Sequence, residues 1–197
     1  MRFSLSHFVY VICLSLLMAG CVQTPPRENF PDLRFSHLEP IQLNVNSIQI
    51  RNTFVSPRTT PNVEHLFPVK PSIAAIYWLE DRLKAAGGVD NLRATITKAG
   101  VTEVPLKRTE GLSRAFLVEQ SERYDGEVEI MLEIFAPDGT RRAMVTSRST
   151  RTRTVSENST LAQREEIWFK IVENMMNDLN TALEKQIQNH FQKWRSY

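Results

Sequence analysis

Hydrophobic and polar positions along the chain fall into two periods. After an almost unbroken apolar run over residues 8–18, residues 38–51 alternate. Ile41, Leu43 and Val45 hold one phase and Ile48 and Ile50 the other, which predicts a strand with a bulge or bend at Asn46-Ser47. Residues 52–71 carry Pro57, Pro61, Pro68 and Pro71 and read as a loop, long enough to be either packed or functional. Ile73, Ile76, Leu79, Leu83 and Ala86 then recur at helical spacing, with Tyr77 and Trp78 widening the apolar surface. Pro71-Ser72 suits the start of that helix and Gly87-Gly88 its end, so a helix over 72–86 is predicted. Leu92, Ala94 and Ile96 alternate again, and Val104 and Leu106 continue a strand over 92–106 after a break near Gly100. Residues 111–124 fit neither period clearly.

The strongest hairpin signal covers residues 126–155. Val128, Ile130, Leu132 and Ile134 alternate with Glu127, Glu129, Met131 and Glu133, and Pro137-Asp138-Gly139 supplies a turn. A two- or four-residue loop places Ile134 opposite Ala143, Leu132 opposite Val145 and Glu129 opposite Arg148. Large then meets small on one side and opposite charges meet on the other. A three-residue loop with a Gly bulge would shift the register by one and set Arg142 against Ile134. The first register is preferred, because an unpartnered buried Arg is costly.

Beyond the hairpin, Ser159 or Thr160 can cap a long helix reaching about Trp194. Trp168, Ile171, Val172, Met175, Leu179, Leu183, Ile187, Phe191 and Trp194 form its stripe. At ~1.5 Å per residue such a helix outruns a small sheet, so its last turns are expected to project beyond the core. The element order predicts an α+β fold: a four-stranded, mostly antiparallel sheet with two helices packed on one face, the C-terminal one long. Three segments are expected. They are a leader over residues 1–20, a Pro-rich tether over 21–36, and one domain over 37–197.

Charge and composition narrow the partners. Lys and Arg number 24 and Asp and Glu 22, and Arg2 is the one charge ahead of Cys21. So near-neutral a balance argues against nucleic acid. Cys13 lies in the apolar run, so loss of the leader leaves Cys21 alone and rules out an internal disulfide or a Cys-based metal site.

Catalytic motifs are sparse. Gly111-Leu112-Ser113-Arg114 lacks the second glycine of a nucleophile elbow, and Glu64-His65 is not a His-Glu-x-x-His zinc motif. No enzyme activity, cofactor or metal is expected. Two features remain. Arg141, Arg142, Arg148, Arg151 and Arg153 crowd one strand with no acid before Glu157. They suit either pairing with the acidic neighbouring strand or binding of lipid headgroups, lipopolysaccharide phosphates or an acidic protein face. Arg151 and Arg153 lie beyond the paired acids and are the favoured site, with Arg148 beside them. Trp78 and Arg82, one helical turn apart, suit either core packing or a ligand-facing cation–π pair. Phe191, Lys193, Trp194, Arg195 and Tyr197 suit either a membrane interface or the end of the packing stripe.

Met18-Ala19-Gly20-Cys21 resembles the lipobox of bacterial lipoproteins, with Met in place of the usual Leu. The resemblance implies cleavage before Cys21, acylation of its thiol and amine, and attachment to an envelope membrane facing the periplasm. Val22, rather than Asp, implies sorting to the outer membrane. The order of elements in the mature chain resembles auxiliary lipoproteins of ABC-type lipid transport systems, which implies transporter components or other envelope machinery as partners. Two functions are carried forward. One is a non-catalytic docking or auxiliary subunit of an envelope complex. The other is a lipid- or glycan-binding module using the Arg-rich strand or an apolar groove lined by Trp78, Leu83 and Trp168.

Overall fold

The computed structural model describes residues 29–107 and 120–196. Met18–Cys21, residues 22–28 of the expected tether, residues 111–119 of the ambiguous stretch and Tyr197 lie outside the described residues. Within them the order is β1 (Ile41–Leu43), β2 (Ser47–Asn52), α1 (Pro71–Arg82), β3 (Leu83–Ala85), β4 (Asn91–Pro105), β5 (Gln120–Phe135), β6 (Arg141–Ser156) and α2 (Leu161–His190).

The main sheet has four strands in the order β2-β4-β5-β6, and only the β2–β4 pair is parallel. Leu92, Ala94, Ile96, Val128, Ile130, Leu132 and Ile134 are all buried on its core side. There α1 lies against β4, while α2 lies against β5 and β6 and touches α1. The expected α+β fold is therefore present. A second, two-stranded parallel sheet joins β1 to β3.

Of the two alternatives at the phase slip, the bend is present and the bulge is not: the chain bends at Asn46 and passes from one sheet to the other. β1 ends at Leu43 and pairs with β3, and β2 starts at Ser47 and pairs with β4. The bulge falls elsewhere. β4 runs unbroken through Gly100, and its register shifts between Ile96 and Lys98. Buried positions pass from Leu92, Ala94 and Ile96 to Ala99 and Val101 across that extra residue.

Helix α1 stops at Arg82, earlier than its stripe predicts, and Leu83–Ala85 turns into a strand. Leu83 is buried in either conformation, so apolar spacing cannot tell them apart. The buried face is also rotated: Ala74, Ala75, Trp78 and Leu79 are inside and Ile73 is exposed.

The hairpin has the expected register, with Ile134 opposite Ala143, Leu132 opposite Val145 and Glu129 opposite Arg148. Its loop is nevertheless the three-residue kind. Gly139, at φ 85°, closes a turn onto the Ala136 carbonyl, and the Ala136 N–H donates to Thr140. Phe135 then faces Arg141 and Ile134 faces Ala143, so Arg142 is the extra residue at a bulge that restores the phase. Arg142 thereby stays exposed.

Thr160 caps α2 in a capping box with Gln163. The predicted stripe is buried through Ile187 and Phe191 and does not overhang. The reason is strand length: β5 and β6 have 16 residues each. Each therefore spans roughly 50 Å, as long as the 30-residue helix. At the other end of the described chain, Phe30 stacks on Phe169 with ring centroids 5.2 Å apart, and Phe35 is buried. The packed domain thus begins before residue 37, the boundary expected for the tether. The 52–71 loop is packed, with Val63, Phe67 and Val69 buried and Phe67 stacked on Trp168 at 5.0 Å.

Candidate functional site

Edge position defines the first site. Among the described residues β6 pairs only with β5, so its other side is an open edge of the sheet. Pleating sends alternate side chains to opposite faces, and the basic run is divided accordingly. Arg148 lies opposite Glu129, on the face away from the helices, and ion-pairs with Glu127 and, at 3.5 Å, Glu129. Arg141 pairs with Glu133 at 2.9 Å. Arg151 and Arg153 lie opposite Gly126 and Tyr124, on the side that carries α2. Arg151 reaches Asp178 of that helix, whereas Arg153 has no ion-pair partner among the described residues. Arg142, at the bulge, reaches Asp90 at 3.5 Å, so the five arginines are not one patch: Arg141 and Arg148 form one row along the edge and Arg151 and Arg153 another.

Burial changes along β6. Over residues 143–149 exposure is interrupted at every second residue, as it is for a half-covered strand, but residues 150–154 are all exposed. Both faces and the open edge are accessible there. The arginines that do have partners remain about half exposed, and such pairs contribute only ~0.2–1 kcal/mol each. A carboxylate from another molecule can compete for them.

The second pair of residues points inward. Trp78 is fully buried, and its indole N–H donates to Asn180 Oδ1 at 2.8 Å. Arg82, also buried, donates from Nε to the same oxygen at 3.2 Å and ion-pairs through Nη2 with Glu184. Burial pulls the Arg82 guanidinium below its ordinary pKa, and the Glu39 carboxylate opposes that shift. The structure thus brings Trp78 and Arg82 together on α2 rather than toward solvent. Sequence reading did not single out Asn180, Glu184 or Glu39. Asn180 and Glu184 lie one turn apart beside the apolar stripe, which was the available signal.

The aromatic and basic tail closes the fold. Phe191 is buried, Trp194 Nε1 donates to Asp90 Oδ2 at 2.8 Å, and Arg195 bridges to Leu43. Among the described residues no group of three or more His, Cys, Asp or Glu side chains could hold a metal ion, and no helix is long and apolar enough to cross a membrane.

No family model and no curated protein matches the chain. Among solved structures, a minor lipoprotein from Acinetobacter baumannii is similar at 10% identity and a TM-score of 0.37, covering 79% of this chain and 98% of its own. A Xanthomonas campestris protein of the DUF330 family is similar at 12% identity and a TM-score of 0.32, covering 74% and 95%. A Neisseria meningitidis lipoprotein is similar at 12% identity and a TM-score of 0.28, covering 76% and 99%.

Proposed function

We propose that this chain is a lipid-anchored, non-catalytic docking lipoprotein of the bacterial envelope. Its partner adds an acidic extended segment to the edge of β6. The observation that carries this reading is the stretch 150–154, exposed on both faces of an edge that is unpaired among the described residues, with Arg148 on one face and Arg151 and Arg153 on the other. A strand laid along that edge takes its backbone hydrogen bonds from β6. Its own side chains alternate between faces. Acids at successive positions would therefore meet both rows of arginine, which a folded acidic surface on one side would not.

The anchor in this reading rests on the lipobox residues Met18-Ala19-Gly20-Cys21. Two or three acyl chains, at ~0.8 kcal/mol per buried methylene, hold a protein where a single chain would not. Val22 favours the outer membrane, with the domain facing the periplasm.

One set of cells tests both halves. A photo-crosslinking residue replaces Thr152 in the full-length protein, and cells are labelled with an alkyne fatty acid. A defined protein adduct is expected, lost with Arg151→Glu plus Arg153→Glu while the circular dichroism spectrum is unchanged. The same residue placed at exposed Val55 gives no such adduct. An adduct indifferent to the double substitution sinks the docking site. Fatty-acid label that persists on Cys21→Ala sinks the anchor. Binding to anionic vesicles, lost in the double variant without any protein adduct, would replace the protein partner with lipid headgroups.

A further inference from the structure

Gly100 of β4 points to the face of the sheet away from the helices, and a methyl group there would lie 3.5 Å from the ring of Phe54. A groove of about 410 Å³ runs beside that ring across β4, β5 and β6. Phe54, Asn62, Gly100 and Thr102 line its inner end, and Thr150 and Thr152 line the end at the β6 edge. With strands ~4.8 Å apart the groove is roughly 10 Å long. Among the described residues, the charged side chains that line it all have partners. Lys98 ion-pairs with Glu127 at 3.2 Å, and Arg148 reaches the same carboxylate. Asp125 accepts from Arg123 and, at 2.8 Å, from the Thr152 hydroxyl. What the groove leaves open is mainly apolar: the Phe54 ring, threonine methyls and the backbone of Gly100 and Gly126.

We propose that this groove seats an aromatic side chain of the segment added to β6, an inference that rests on the docking edge and names what that edge selects. A strand paired with β6 sets alternate side chains beside Arg151 and Arg153 on one face and beside Arg148, Thr150 and Thr152 on the other. Acids suit the positions beside the arginines. The position beside Thr150 or Thr152 differs, because Glu127 and Asp125 of β5 lie directly behind those threonines. An acid there would face two carboxylates whose basic partners are already taken. The added strand lies ~4.8 Å beyond β6, so a short aliphatic side chain ends over β6 itself. A ring reaches further, over the Gly126 backbone toward Phe54. Aromatic side chains bury about 150–250 Å² each and pair well with β-branched residues across strands. The motif read by this edge is therefore acid, aromatic, acid in an extended segment.

The test titrates detergent-solubilised full-length protein into two fluorescein-labelled, capped heptapeptides and follows anisotropy. Both peptides carry glutamate at every odd position and threonine at the outer even ones; one has tyrosine at its centre and the other serine. The tyrosine peptide should bind roughly fivefold tighter, and Arg151→Glu plus Arg153→Glu should weaken both. Gly100→Val fills the groove, its first carbon meeting the Phe54 ring at an ordinary contact distance, and should bring the tyrosine peptide down to the affinity of the serine one. If that variant alters the circular dichroism spectrum, Phe54→Leu, which removes the ring, should narrow the preference instead. Equal affinities for the two peptides, both lost in the double arginine variant, overturn the groove and leave the edge standing. A tyrosine preference that survives Gly100→Val and Phe54→Leu also overturns the groove. Binding of neither peptide removes the edge and the groove together.

Discussion

A methyl group at Gly88 would lie 2.5 Å from the carbonyl oxygen of Asn44, on a backbone already at φ +107°. Neither the contact nor the backbone can relax cheaply, so Gly88→Ala should cost roughly 2 kcal/mol, read as a lowered thermal midpoint. Gly87 has the same φ with nothing nearby, and its Ala variant should suffer from backbone strain alone. Tyr124 supplies a second residue-scale prediction. Burial raises its phenol pKa well above the ordinary tyrosine value, and a hydrogen bond donated to Glu122 at 2.9 Å adds to the shift. The folded state therefore prefers the neutral phenol. That contribution is complete below the unfolded pKa of about 10 and is lost as pH rises above it. Alkaline titration should show tyrosinate absorbance from this residue only with unfolding, and Tyr124→Phe should flatten the stability loss on the alkaline side. Ionisation of Tyr124 in the folded protein near the ordinary value would contradict this. Neither position stood out beforehand. Gly88 reads only as a helix stop, and the phenol's environment is assembled from Glu122, Arg164 and Trp168, of which the last two lie on α2.

Elements were legible wherever a period ran long. The stripe of α2 is buried as the spacing requires, and the β5–β6 register follows from matching large to small residues and acid to base. Leu132 is fully buried in β5 and faces Val145, so Leu132→Asp should abolish cooperative unfolding and the native circular dichroism spectrum. A native melting curve would show that this face is not core. Short elements were not legible. Three-residue β1 and β3 carry too few positions to show a period, and β3 was absorbed into the preceding helix. Parallel pairing with a strand some forty residues away decides its conformation, and no local signal reports that pairing. Arg142 shows the converse limit. Its neighbours specified the register correctly, but the bulge that leaves it exposed comes from combining a Gly-type loop with that register.

At the scale of the whole molecule, the described residues close on themselves through the tail. Trp194 donates to Asp90, its carbonyl accepts from the Asn44 N–H, and the Ser196 N–H donates to Gln42 at 3.1 Å. Trp194→Phe keeps an aromatic ring but leaves a buried Asp90 oxygen without its donor, which should cost about 1–3 kcal/mol. Equal urea midpoints for the two proteins would show that the bond is dispensable. The sequence by itself determined the periodic elements, the fold class, the hairpin register and the capped long helix. Each depends on residues near one another in the chain, and burial follows the period they set. Tertiary structure alone decided that β6 is an edge among the described residues, that Arg148 lies on one of its faces and Arg151 and Arg153 on the other, and that Arg82 meets Asn180 and Glu184 of α2. Strand order and helix placement are settled by contacts between distant segments, and which charges meet or stay open depends on those contacts rather than on spacing along the chain.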